Sequence, residues 1–333
     1  MKHANISIFI PHIGCPHRCS FCDQRTISGA QKIPHGEDVR EICSKALSEV
    51  KSPGNTEIAF FGGSFTAIPR AYMTELLEAA YPFVGDGKFK GIRLSTRPDC
   101  IDGEILTLLK SYGVTSIELG AQSMSDKVLE ANQRGHSADD VEKAAKLIRE
   151  FGFELGLQMM VGLYKSEMAD EFETLDKIAA IRPDTVRIYP VVILEGTKLG
   201  ELYLAGKYTT FLFDEVTEFA AAAMTRFEEN GVKVIKCGLH ASEFVEQDMV
   251  GGFYHPAFRE ICESLIYRRK IAEIIGCECG GDFIISVNPT CVSKAMGHKK
   301  SNCEYFKKQG INIKIIGNVD IPKCEMKISE VRR

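Results

Sequence analysis

Short β-rich runs alternate with longer amphipathic ones along roughly the first 190 residues of this 333-residue chain, and few folds accept that alternation. Strands are predicted over 6–10, 57–61, 91–95, 115–119, 153–160 and 185–188. Helices are predicted over 37–50, 70–80, 102–112, 139–151 and 167–180. Val141, Ala144, Ala145 and Ile148 recur at helical spacing, as do Ile42, Ala46 and Val50. Strict β–α alternation implies parallel strands with helices packed outside. About six such units suit an open, partial (β/α)6 TIM-like barrel better than a closed eight-fold one. Ligands of parallel α/β folds gather at the carboxyl ends of the strands. Beyond Pro190 the pattern changes to helix 211–230, strand 232–236 and helix 256–275. It ends as strand 283–287, helix 290–296, a basic turn 297–300, helix 302–308 and strand 311–316. The expected division is a barrel over 1–200, an extension completing the core over 201–282, and a small basic α+β module over 283–333.

Hydrophobic residues make up 44% and charged residues 26%, which excludes a mainly disordered chain. The apolar run at the N-terminus is too short for a signal peptide, and nothing nears the roughly 18 apolar residues of a membrane span. A cytoplasmic protein with no membrane partner is expected. Twelve cysteines in such a chain point to metal binding and buried thiols rather than to a disulfide framework. The net charge of −4 conceals a local +6 over 288–333, which leaves −10 on the rest. A basic tail suits an anionic partner, and a solvated helix face rich in Lys is the plainer alternative.

Cys15, Cys19 and Cys22 stand as Cys-x3-Cys-x2-Cys in a loop that Gly14 and Pro16 help to bend. Three thiolates can hold three irons of a cubane cluster, whereas a ferredoxin supplies a fourth Cys. The fourth iron is then open to a small molecule. Arg18, between two ligands, could offset the cluster's charge. Zinc is the alternative, with His12 or His17 completing four ligands. Zinc leaves Gly62-Gly63, Arg97 and Gln122 unexplained, although these follow strands and would meet the cysteine loop on one rim.

The cysteine run, with Phe21 before its last Cys, and Phe60-Phe-Gly-Gly-Ser-Phe65 together resemble the radical S-adenosylmethionine enzymes. The resemblance implies a 4Fe–4S cluster whose open iron is chelated by S-adenosylmethionine. It implies reductive cleavage to methionine and a 5′-deoxyadenosyl radical, with electrons from an external donor of the flavodoxin or ferredoxin type. Gly62 and Gly63 would meet the methionine amino group, and Ser64 stands where many members have Glu. Further motifs, Ser95-Thr-Arg-Pro-Asp99, Glu118-Leu-Gly-Ala-Gln-Ser123, Arg134-Gly-His136, Gly162-Leu-Tyr164, Arg187-Ile-Tyr-Pro190, Gly196-Thr-Lys-Leu199 and Cys237-Gly-Leu-His-Ala-Ser242, look like the radical domain of the Elongator catalytic subunit over roughly 5–275. Oxygen-independent coproporphyrinogen oxidase shares the barrel and the Gln122…Arg134 spacing. By this likeness Gln122 would bond the ribose hydroxyls, Arg134 the methionine carboxylate and Gln158 the nucleoside, with Arg97 lining the same pocket.

Two departures stand out. The Elongator subunit has longer spacing between its cysteines, and it carries an acetyltransferase domain for which this chain is expected to have no room. The implied function is a stand-alone radical S-adenosylmethionine enzyme acting on tRNA or another RNA, with no protein catalytic residue assigned. The alternatives are an enzyme acting on a tetrapyrrole or other small metabolite, and an RNA-binding protein with a structural or redox-sensing cluster. Helix, Gly297-His-Lys-Lys300, helix and strand look like a KH-type RNA-binding core, with Lys300 in place of its second Gly. Lys294, Lys299, Lys300, Lys307 and Lys308 would then meet phosphates. Cys277, Cys279, Cys291, Cys303 and Cys324 match no compact ligand spacing, so plain thiols are expected rather than a second metal. His240 and Glu243 follow a strand-like run and would face the cavity, His240 as an acid or base or as a structural side chain.

Overall fold

A computed structural model describes residues 4–10, 15, 19–23, 26, 32–239, 243–276, 280–323 and 325–330. The chain divides into two compact units. The first comprises residues 1–211, 227–236 and 240–254, and the second residues 212–226, 237–239 and 255–333.

The first unit is built on β1 (Ala4–Ile10), β2 (Thr56–Gly62), β3 (Gly91–Thr96), β4 (Val114–Gln122), β5 (Glu154–Val161) and β6 (Thr185–Pro190). These pair in sequence order and in parallel. β8 (Lys233–Cys237) follows β6 at the edge, giving a seven-stranded sheet that curls into a partial barrel. The intervening helices are α1 (Gly36–Glu49), α2 (Arg70–Ala80), α3 (Gly103–Ser111), α4 (Asp126–Ala131), α5 (Ala138–Glu150) and α6 (Met168–Ile181). Their starts are written locally: Asp102 caps α3 by accepting the Ile105 N–H, and Ser137 and Asp140 form a reciprocal box at α5. The face of α5 that carries Val141, Ala144, Ala145 and Ile148 is buried, as its spacing requires. A second, antiparallel pair joins β7 (Val192–Leu194) to β9 (Met249–Gly252). Two short helices, α7 (Lys198–Leu204) and α9 (Glu243–Asp248), complete this unit.

One face of the sheet carries polar side chains where such barrels commonly place branched apolar ones. Arg93, 2% exposed, donates from Nε to Glu57 at 2.8 Å, from Nη1 to Glu118 at 3.2 Å and from Nη2 to Glu154 at 2.5 Å. Arg187 grips Glu118 through Nε at 2.6 Å and Nη2 at 2.9 Å, and its guanidinium lies over the Phe61 ring. Burial alone would raise the Glu118 pKa, but Arg187 and then Arg93 hold it below the usual carboxylate range.

The second unit holds most of α8 (Phe213–Glu229), then α10 (Phe258–Ile275), β10 (Gly281–Val287), α11 (Val292–Met296), α12 (Ser301–Lys308), β11 (Ile311–Gly317) and β12 (Met326–Glu330). It takes in α10 and most of α8 together with residues 283–333. β10 is central, parallel to β11 and antiparallel to β12. Its core joins Tyr267, Ile271 and Ile275 of α10 to Phe283, Ile285 and Val287 of β10 and to Phe306 of α12.

Candidate active site at the carboxyl ends of the strands

β1 and β2 end side by side, with Ile10 opposite Gly62, so the cysteine segment leaves the sheet beside the Gly62-Gly63 turn. Gly62 has φ +110°, and a Cβ there would stand 2.7 Å from the Ile10 carbonyl oxygen, so only glycine fits. Gly63 donates its N–H to that same oxygen at 2.7 Å. Cys15 Sγ lies 3.8 Å from Ser64 Oγ.

β4 supplies the opposite wall. Its register against β5 shifts between Gly120 and Gln122, and Gln122 takes φ +66°. A bulge of this kind re-aims a side chain, and left-handed backbone is costly for a non-glycine residue. Gly120 makes the room, because a Cβ there would stand 2.8 Å from Gln122 Nε2 and 3.3 Å from Arg134 Nη2. Arg134 donates from Nη1 to Cys19 Sγ at 3.0 Å and from Nη2 to the Gly120 carbonyl at 2.6 Å. Arg97 holds Asp99 at 2.9 and 3.0 Å and also donates to the Arg134 carbonyl. Gln158 uses Nε2 on Glu118 at 3.0 Å and on Ser95 Oγ at 3.2 Å, which leaves its amide oxygen for the cavity it lines.

The outcome is one cavity of about 590 Å³ lined by Cys15, Cys19 and Cys22 together with Gly62, Gly63, Ser64, Arg97, Gln122, Arg134 and Gln158. The residues singled out in the sequence as cluster ligands or S-adenosylmethionine contacts all line it, whereas Arg18 lies outside the described residues. Ser95 and Gly120 line it as well, and Glu118 and Arg187 support it from beneath. Glu118, Gly120 and Arg187 all stand within the motifs noted in the sequence, but the room that Gly120 makes depends on the side chains of Gln122 and Arg134 folding over it. His136 donates from Nε2 to the Ala121 carbonyl at 3.3 Å. Burial, reinforced by Arg134 and Arg97, pushes its pKa down to about 4.

The cofactor groups fit this cavity. Arg97 Nη1, Arg134 Nε and Gln122 Oε1 are buried without a hydrogen-bond partner among the described residues. Guanidinium N–H groups suit a carboxylate, and amide oxygens suit ammonium and hydroxyl groups, which are the polar groups of S-adenosylmethionine. Burial, then the neighbouring Cys19 and Cys15, pushes the Cys22 thiol up to about 12. A thiolate at Cys22 therefore calls for a cationic metal centre in place of the proton.

The remaining candidates lie elsewhere. In the second unit Lys294 pairs with Glu263 at 2.8 Å. Lys299 and Lys300 are exposed in the turn before α12, with φ +51° and +63°, and Lys307 and Lys308 are exposed in its last turn. Glu243 opens α9 and is exposed, Cys291 is buried and Cys303 half-buried. Among the described residues no three or more His, Cys, Asp or Glu side chains are grouped to hold a single metal ion. His12, Gly14, Pro16, His17, Arg18, His240, Cys277, Cys279 and Cys324 lie outside the described residues.

Comparison with known proteins agrees with this geometry. The model of the radical SAM superfamily matches residues 9–178, and that of the radical SAM C-terminal domain matches residues 183–268. The chain belongs to the radical SAM superfamily. It is therefore an enzyme of that class, with a 4Fe–4S cluster and S-adenosylmethionine as its cofactors. An uncharacterized protein of Methanocaldococcus jannaschii is 32% identical over 213 residues, covering 60% of this chain and 64% of that protein. A tRNA uridine(34) acetyltransferase of the same organism is 29% identical, covering 63% of this chain and 46% of the relative. Elongator complex protein 3 of Schizosaccharomyces pombe is 28% identical, with 55% and 38% covered. The chain thus spans about half the length of the curated relatives it matches. Among solved structures, archaeal Elp3 of Methanocaldococcus infernus, lacking its N-terminal segment, superposes with a TM-score of 0.58 at 18% identity, over 87% of this chain and 67% of that one. That likeness establishes a shared fold. Among the described residues no helix is long and apolar enough to cross a membrane.

Proposed function

We propose that this chain cleaves S-adenosylmethionine reductively in the rim cavity and modifies a nucleoside of tRNA or another RNA. When bound, the two cofactors supply one-electron cleavage of a carbon–sulfur bond, yielding a 5′-deoxyadenosyl radical that takes hydrogen from a substrate. The chain's own residues bind and orient. Cys15, Cys19 and Cys22 would hold three irons, and Arg134, donating to Cys19 Sγ, offsets thiolate charge. Arg97 Nη1 and Arg134 Nε are the available partners for the methionine carboxylate, while Gln122 Oε1 and the Gln158 amide oxygen face the hydroxyl and amino groups. Gly62 lets the backbone approach closely. An external donor of the flavodoxin or ferredoxin type, in the cytoplasm, belongs to the same proposal.

The observation that carries the first part is the convergence of three thiols and three orphaned polar atoms on one cavity. The RNA part draws on relatives named for tRNA uridine modification and on the basic turn of the second unit. Anaerobically reconstituted, reduced protein should release 5′-deoxyadenosine from S-adenosylmethionine, measured by chromatography. Persistent absence with an intact cluster would refute the cleavage. Mass spectrometry of nucleosides from a deletion strain should show one modification missing. Coproporphyrinogen turnover with an unchanged nucleoside profile would redirect the substrate to a tetrapyrrole. Lys299→Glu with Lys300→Glu should weaken RNA binding and flatten its salt dependence by about two phosphate contacts. Unchanged binding at low salt would remove the turn from the account.

A further inference from the structure

We propose that Asn132 is a positioning residue that clamps the cysteine segment at Ser20. Ser20 lies between Cys19 and Cys22, is 1% exposed, and has each of its polar groups occupied. Its N–H donates to the Asn132 carbonyl at 3.1 Å, and its hydroxyl donates to Asn132 Oδ1 at 2.8 Å. Its own carbonyl accepts the Leu199 N–H at 2.7 Å, one of the N–H groups that the first turn of α7 leaves unused.

Asn132 is itself fully buried and saturated. Its Nδ2 donates to the Val128 carbonyl at 2.8 Å, in the last turn of α4, and to the Tyr164 carbonyl at 2.9 Å, in the loop after β5. One amide therefore ties the cysteine segment to a helix end and to a second rim loop. Two residues on, Arg134 donates to Cys19 Sγ. The 132–134 turn thus holds the backbone and hydroxyl at Ser20 and the sulfur at Cys19, in a stretch whose own turn is closed by the Cys22 N–H donating to the Cys19 carbonyl at 3.2 Å. Groups that orient metal ligands without touching the metal commonly change metal affinity by ten- to a hundredfold when removed. Asparagine suits the position because it offers an acceptor to Ser20 and two donors to the rim at once, which neither Asp nor Ser does.

The inference rests on the cluster-binding role of the three cysteines, and its test has one arm that needs no cluster. Ser20→Ala, Asn132→Ala and the double variant are prepared as full chains. In the cluster-free proteins, amide exchange over residues 19–23 should accelerate roughly tenfold in Ser20→Ala, while exchange in β3–β5 stays at the wild-type rate. In the reconstituted proteins, a chelator should strip iron roughly tenfold faster than from wild type. The electron paramagnetic resonance signal of the reduced cluster should also shift. The double variant should lose iron no faster than Asn132→Ala, because the hydroxyl has already lost its partner. Exchange over 19–23 within twofold of wild type, or effects that multiply in the double variant, would overturn the clamp. Ser20→Ala removes one hydroxyl, so it decides the matter even if Asn132→Ala does not fold. A wild-type chain that takes up no iron would defeat the cluster reading and leave the exchange arm to judge the clamp.

Discussion

Two buried polar layers, one within the strands of the barrel and one at and beyond their carboxyl ends, differ in how they are satisfied. In the lower one Arg93 engages Glu57, Glu118 and Glu154, and Glu57 also accepts from Thr115 at 2.8 Å and Ser116 at 2.9 Å. In the upper one Arg97, Gln122 and Arg134 each keep a buried nitrogen or oxygen without a partner among the described residues, and Gln122 sits on a left-handed backbone. Buried polar atoms are nearly always bonded in a native protein, so an orphaned set gathered around one cavity marks a place for a ligand. The lower layer holds the sheet and the upper one holds chemistry. Glu118 belongs to both, bonded to Arg93 on one side and orienting Gln158 on the other.

The contrast can be broken most sharply at Arg93. Arg93→Ala takes the guanidinium away from buried Glu57 and leaves Glu118 with Arg187 alone, and denaturant unfolding should show a loss of about 3–5 kcal/mol. A loss below about 1 kcal/mol would show the lower layer to be no more structural than the upper. The next largest effect is with pH. The His136 pKa lies near 4 in the folded chain against 6.5 ordinarily, so between those values the unfolded chain binds the proton and the folded chain does not. Stability from this group is complete above pH 6.5 and falls as pH drops toward 4. His136→Gln should remove about 3 kcal/mol of that dependence, read from unfolding midpoints across the window.

Gln158→Glu would set a second carboxylate against Glu118, and equilibrium binding should show S-adenosylmethionine weakened about tenfold or more, with the iron content unchanged. Unaltered affinity would remove Gln158 from the cofactor lining. The smallest effect is also the most discriminating. Gln122→Gly relieves the left-handed strain, so stability should hold or rise by up to about 1 kcal/mol while cofactor affinity falls. A clear loss of stability would place Gln122 with the structural layer.

Much of the barrel was legible because period and chemistry coincide in it. Strands such as β2 and β3 and helices such as α2 and α5 carry unbroken patterns, and the observed bounds fall within a residue or two of those expected. The cysteine loop, Gly62-Gly63, Arg97 and Gln122 were legible as a set because they stand at or after strand ends, and parallel β–α order brings strand ends together. The pieces that escaped are short or are determined from a distance. α4, α7 and α9 span six or seven residues, too few for a helical period to declare itself, and β7 and β9 exist only as partners of each other. Asn132 gives no local signal, since an Asn near a helix end reads as an ordinary cap, and its contacts lie 112 residues back at Ser20 and 32 onward at Tyr164. The charge of 288–333 indicated a basic module, but charge says nothing of packing, and the apolar face of α10 is part of that unit's core.

The central claim is that the rim cavity holds an incompletely ligated iron cluster together with S-adenosylmethionine. Electron paramagnetic resonance of the reduced, anaerobically reconstituted chain, recorded before and after addition of S-adenosylmethionine, tests it directly. A 4Fe–4S signal whose g-values shift on addition is the predicted result. A signal indifferent to S-adenosylmethionine, or an iron-free protein carrying tetrahedral zinc on the three cysteines, would contradict it.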